Sequence, residues 1–197
     1  MTSPLSPVTQ AILLLTAPLR SGGRAESSDL LSLGEYNQLA RALREQQRVP
    51  SNLLEVDAPP LIDRCRGSID GDRLRQLLGR GFALSQAVEH WQARGIWIVS
   101  RADAEYPKRL RLRLKEAAPP ILYGCGNVSL VDQGGLAIVG SRDATEAQLR
   151  FAADAGSLVA ASQRAVVSGG ARGIDQAAME GALAANGMVI GVLADGL

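Results

Sequence analysis

The chain has 197 residues, 46% hydrophobic and 21% charged, with 21 Lys and Arg against 20 Asp and Glu for a formal net charge of +1. That length has room for one cored domain and a smaller one, and the charge balance excludes a protein that is basic throughout, so any nucleic-acid contact has to use a local patch. Cys65 and Cys125 show neither metal-ligand spacing nor a paired framework, which fits a reducing cytoplasm and predicts no metal.

Val8, Ile12 and Leu15 predict a short amphipathic helix ending near Pro18. The apolar stretch 11–19 is far too short to span a bilayer, is interrupted by Thr16 and Pro18, and lacks a basic leader, so no membrane association is expected. The small, polar residues 21–28 read as flexible linkage. Ser32 and Glu35 form a capping-box pattern ahead of Tyr36, Leu39, Ala40 and Leu43, which share a helical face, with Arg41 and Arg44 off it.

Pro50 and the pair Pro59-Pro60 leave room only for short helical pieces. Leu74, Leu77 and Leu78 form one helical face and Leu84, Ala87, Val88 and Trp91 another, joined at Gly79-Arg80-Gly81. That is a helical pair. It either packs as a plain hairpin or, with Arg80 at the corner, grips DNA phosphates as a helix-hairpin-helix does. His90, the sole histidine, has no acidic or cysteine cluster near it in sequence and reads as a surface or half-buried residue.

Gly95 ends that helix, and Ile96-Trp97-Ile98-Val99 predicts a strand in which Trp97 packs rather than stacks on a base. Next, Lys108, Arg109, Arg111, Arg113 and Lys115 alternate with Leu110, Leu112 and Leu114. Pro107 at the start favours a helix, while strict alternation favours a strand. Either form presents a basic face, solvated or tracking phosphates.

Three short, continuous apolar runs follow: Leu136-Ala137-Ile138-Val139, Ala165-Val166-Val167 and residues 188–193. They have the character of parallel strands buried on both faces. Between them lie two helical patterns, one of Ala147, Phe151, Ala155, Leu158 and Val159, the other of Ile174, Ala177, Ala178, Gly181, Ala182 and Ala185. The result is β-α-β-α-β, half of a doubly wound α/β sheet.

Two glycine-bearing turns leave the carboxyl ends of the first two strands: Gly140-Ser141-Arg142, and Ser168-Gly169-Gly170-Ala171-Arg172-Gly173 running into Ile174 and Asp175. Ligands bind at that edge of a parallel sheet, glycines let backbone approach them, and a helix N-terminus there suits a phosphate. Ser141, Ser168, Arg142 and Arg172 add donors. Asp175, in the first helical turn, is read as a dipole or arginine partner.

At these turns residues 134–197 resemble the DprA/Smf family of DNA-processing proteins, through Val139-Gly140-Ser141-Arg142 and the run Ser168 to Asp175. Tyr106-Pro107-Lys108-Arg109-Leu110 and Pro119-Pro120-Ile121-Leu122-Tyr123-Gly124 resemble the family's segment leading into that domain, so the likeness spans roughly 70–197. Ala147-Gln148 and Met179 depart from the family pattern, marking a divergent branch. The family's sheet also continues past a third strand, whereas this sequence stops after 188–193.

The resemblance implies an incomplete Rossmann-like domain over 134–197, preceded by a small helical domain over 1–105 and a connecting segment over 106–133. It implies a non-catalytic, cofactor-free protein that binds single-stranded DNA, has a recombinase as client, and self-associates. The DNA-phosphate residues would be Gly140, Ser141, Arg142, Ser168, Gly169, Gly170, Arg172 and Gly173, extended by Lys108 and Arg109. Two alternatives stand beside it. One is a nucleotide sensor or phosphoribohydrolase-like enzyme, which would need a P-G-G-x-G-T-x-x-E turn absent from the sequence. The other is a remnant without independent activity.

Overall fold

The computed structural model describes residues 5–19, 29–56, 58–65 and 69–193; the linkage at 21–28 and residues 194–197 lie outside them. The chain forms two compact units, residues 1–126 and 127–197.

In the first unit, α1 (Pro7–Thr16) starts at Ser6, whose hydroxyl accepts from the Thr9 N–H. The expected amphipathic helix is instead a central one. Thr9 and Ala11 through Leu15 are all buried, because α2 (Leu33–Glu45), α3 (Ala58–Arg64), α4 (Gly71–Leu78) and α5 (Gly81–Ala93) contribute to one hydrophobic cluster around it. Thr9 is tolerated there because its hydroxyl donates to Asp103 at 2.6 Å. Asp103 also accepts from the Ser6 hydroxyl and the Ser100 N–H. The capping box of α2 is present: the Ser32 N–H donates to Glu35 at 2.7 Å and the Glu35 N–H to the Ser32 hydroxyl at 3.3 Å. Glu35 also holds Arg73 of α4, which donates to the Asp29 and Leu30 carbonyls as well.

The α4–α5 pair is the predicted hairpin, and its corner arginine is used internally. Arg80 donates to the carbonyls of Leu14 and Ala17 at the end of α1. Those carbonyls lack helical partners, so a guanidinium satisfies them and meets the negative end of the dipole. This use is that of a plain packed hairpin, not of a phosphate grip. After α5, β1 (Trp97–Ser100) pairs antiparallel with β2 (Ile121–Gly124), Trp97 opposite Gly124. Gly124 is required because any Cβ there would enter the Trp97 ring, whose N–H donates to the Gly126 carbonyl at 2.9 Å.

Between these strands, α6 (Lys108–Leu114) decides the earlier ambiguity in favour of helix. Leu110 and Leu114 fall on one face, four residues apart, and Leu112 on the opposite one, where it is 74% exposed. Of the segment 106–133, residues 106–126 lie within the first unit and 127–133 within the second. Buried Tyr106 donates its hydroxyl to the Pro119 carbonyl.

The second unit runs α7 (Ser129–Gln133), β3 (Gly135–Ala137), α8 (Glu146–Ala161), β4 (Ala165–Ser168), α9 (Ile174–Ala184) and β5 (Met188–Gly191). The strands form the expected parallel sheet in the order β3-β4-β5, Leu136 opposite Val166 and Val166 opposite Val189. Its core is built from small residues: Ala152, Val159, Val166, Ala178 and Ala182. The buried face of α8 differs from the predicted one. Ala152, Gly156 and Val159 face inward, whereas Phe151 and Leu158 are 76% and 70% exposed. Gly156 and Gly181 are the reason, since each sits against backbone of the opposite helix and brings α8 and α9 into direct contact along that face.

Candidate phosphate-binding site

The two glycine turns meet. Gly173, at φ +94°, lies so close to the first turn that a Cβ would enter the Ser141 carbonyl and come within 2.9 Å of the Arg142 Cα. Both the φ and the space demand glycine. The Ser141 carbonyl in turn accepts the Ile174 N–H at 3.2 Å, the first amide of α9. Gly140 has a separate reason to lack a side chain, because a Cβ would lie 2.7 Å from that of Ile174.

Asp175 holds the arrangement. Its buried carboxylate accepts the Gly140 N–H at 3.0 Å with one oxygen and the Gly169 N–H at 3.1 Å with the other, one amide from each turn. Burial by itself would raise this carboxyl. The N–H bonds from Gly140 and Gly169, with Ser168 and Ala171 nearby, overcome that and hold it below the ordinary carboxylate value. Of the two expected roles, Asp175 does stand in the first turn of α9, where a carboxylate suits the helix dipole, while its partners are backbone amides rather than an arginine. An acidic residue in the first turn of a helix next to two glycine turns is a trace that sequence does carry, although it does not reveal which amides are held.

The predicted phosphate residues fall into three groups. The Gly140 and Gly169 amides and the Ser168 side chain are committed inward, although both glycines are themselves exposed: the amides donate to Asp175, and Ser168, 3% exposed, donates its hydroxyl to the Ile138 carbonyl at 2.7 Å, bridging β3 and β4. Ser141, Arg142, Gly170 and Arg172 are exposed, and Gly173 is half-buried against the first turn. The Ser141 hydroxyl accepts the Asp143 N–H at 3.1 Å and closes a local turn. Arg142 is exposed, with no partner among the described residues. Arg172 reaches across to Asp143 at 2.9 Å, with side-chain exposures of 76% and 90%. Lys108 and Arg109 lie exposed on α6, in the other unit.

Beside the open side of β3 lies a feature that the sequence reading did not anticipate, an apolar groove of about 680 Å³ lined by Leu136, Ile138, Val139, Ala147, Phe151 and Ala155 among others. Among the described residues no group of three His, Cys, Asp or Glu could hold a metal ion, and no helix is long and apolar enough to cross a membrane.

Two relatives from strains of Mycobacterium tuberculosis, whose descriptions carry the words DNA processing protein DprA, are each 33% identical over 148 residues. That stretch is 68% of this chain, and the chain spans 38% of the length of those relatives. The crystal structure of DNA processing protein A from Streptococcus pneumoniae shares the fold, with a TM-score of 0.64 at 20% identity over 98% of this chain and 58% of that one. The sequence profile of one family, DNA recombination-mediator protein A, matches residues 97–197, covering β1, β2 and both glycine turns. The chain belongs to the DNA recombination-mediator protein A family.

Proposed function

We propose that the chain binds single-stranded DNA through its phosphates and acts by presenting that DNA to a recombinase, without chemistry of its own. The observation that carries this reading is the junction of the two turns at the carboxyl edge of the sheet, with Arg142 and Arg172 exposed on adjoining loops. Two guanidiniums and the amide of exposed Gly170 suit a phosphate backbone, joined by the Ser141 hydroxyl once it exchanges its bond to the Asp143 carbonyl. Membership of a recombination-mediator family supports the client, and the exposed cations Lys108 and Arg109 supply a basic surface on the first unit.

Fluorescence-anisotropy titration of an oligothymidylate at two salt concentrations tests the reading. The expected result is binding with little sequence preference, whose log K falls with log salt by about 0.7 per phosphate neutralised. Equal affinity at both salts, or tighter binding of a mononucleotide than of the oligonucleotide, would overturn it and favour a nucleotide sensor. Arg142→Ala should weaken binding by roughly 1–3 kcal/mol and lower the salt slope, because a charge-assisted contact is lost from an exposed position.

A further inference from the structure

Arg172 already holds an anion. The Asp143 carboxylate sits 2.9 Å from its guanidinium, on the turn that also carries Ser141 and Arg142. The Asp143 N–H is tied to the Ser141 hydroxyl, so the residue's backbone is fixed at the junction while its side chain stays 90% exposed. A phosphate approaching Arg172 meets a tethered competitor for the same donors. The carboxylate can rotate away into solvent, but its backbone anchor keeps it close, and like charges at such separations repel.

Resting on the phosphate-binding reading above, we propose that Asp143 is a specificity-determining residue of this site. It occupies Arg172 until an internal phosphodiester displaces it, and it disfavours terminal phosphates and free nucleotides. An internal phosphodiester carries one negative charge, whereas a phosphomonoester carries about 1.5 to 2 near neutral pH. Repulsion from the displaced carboxylate therefore penalises the monoester more. The site gives up some affinity and gains preference for the middle of a strand over its ends.

The test uses the full chain, an oligothymidylate without terminal phosphates, and thymidine 5′-monophosphate as a competitor, in a cycle of Asp143→Asn, Arg172→Ala and the double variant. Asp143→Asn should tighten oligonucleotide binding about two- to fivefold, the range expected when one exposed ion pair is removed. Inhibition by the monophosphate should improve by a larger factor, and both gains should shrink in the Arg172→Ala background, where Asp143 no longer competes for a guanidinium and only its repulsion of phosphate remains. Unchanged or weaker oligonucleotide binding by Asp143→Asn, with wild-type binding intact, overturns the inference and leaves the site standing. An equal gain for both ligands overturns the specificity role, and gains undiminished in the Arg172→Ala background overturn the competition for Arg172. If the wild-type chain shows no salt-dependent binding, the phosphate reading fails and the inference with it. A matching thermal transition by circular dichroism shows that Asp143→Asn is folded.

Discussion

Asp175 and Glu35 are both acidic residues in the first turn of a helix, and what each carboxylate accepts decides its consequence. Asp175 satisfies one backbone amide from each glycine turn, so Asp175→Ala should leave two partly buried N–H groups unpaired, at about 1–3 kcal/mol each. Urea denaturation should show that loss, and Asp175→Asn, which keeps one acceptor oxygen, should fall between the variant and wild type. Glu35 accepts from Arg73 and from the Ser32 amide, and those hydrogen bonds hold its carboxyl at about 2, against 4.5 for an unperturbed glutamate. A folded value below the unfolded one means stability that is fully present above pH 4.5 and lost as pH falls toward 2. Glu35→Gln should lower stability at neutral pH and flatten the acid limb of a circular-dichroism titration through that window. The desolvated, hydrogen-bonded carboxylates Asp103 and Asp175 are also held low and keep some acid sensitivity in the variant.

Among the elements, those written in caps, prolines and continuous apolar runs were legible from sequence. The Ser32–Glu35 box and the α4–α5 hairpin stand where those signals put them, and the parallel strands β3, β4 and β5 lie within two residues of theirs, although only β4 is buried as expected of all three. Helix faces were less legible. On α8, size misled: Phe151 and Leu158 are large apolar residues, yet of the expected face only Val159 is buried, beside Ala152 and Gly156, because α9 approaches closely at Gly156 and Gly181. On α1, amphipathicity was expected where the helix is surrounded. In the turns, sequence indicated that Gly140 to Arg142 and Ser168 to Gly173 work together but not which groups face outward, since that depends on Asp175 and Ile138 reaching them from other parts of the fold. The α8–α9 contact can be tested directly. Gly181→Ala would drive a Cβ into the Ala153 carbonyl and Gly156→Ala into that of Ala178. Neither backbone can yield cheaply, so each should destabilise the second unit by about 1–3 kcal/mol or more, with a lowered thermal midpoint as the readout. Gly34→Ala, which meets nothing within 4 Å on the exposed first turn of α2, should not be destabilising.

At the scale of the whole molecule, the described residues of the second unit leave one side of its sheet without a neighbouring strand. The order β3-β4-β5 puts the strand that delivers the first turn at an edge, whereas in a doubly wound sheet the corresponding strand is internal. Its outward amides and carbonyls have no ladder partner among the described strands. The residues around that edge are apolar: Leu136 is 44% exposed, Val139 73% and Phe151 76%, and they line the groove of about 680 Å³. A strand laid along β3 would pair the amides and cover these side chains together. Fully burying a Val, Leu or Phe is worth about 1.5–3 kcal/mol, and here only the exposed part of each remains to be gained. The cost of association is about 4–15 kcal/mol, of the same order as the gain from a few such residues on each copy. The 197-residue chain should therefore self-associate weakly and with concentration dependence, rather than as an obligate dimer, unless a partner supplies the strand. Multi-angle light scattering over a concentration series should show average mass rising with protein, and Phe151→Glu, which places a charge in the groove, should suppress the rise without lowering the thermal midpoint. A wild-type chain that stays monodisperse and monomeric across the series, with a cooperative high-temperature transition, would mean that the β3 edge is stable as it stands.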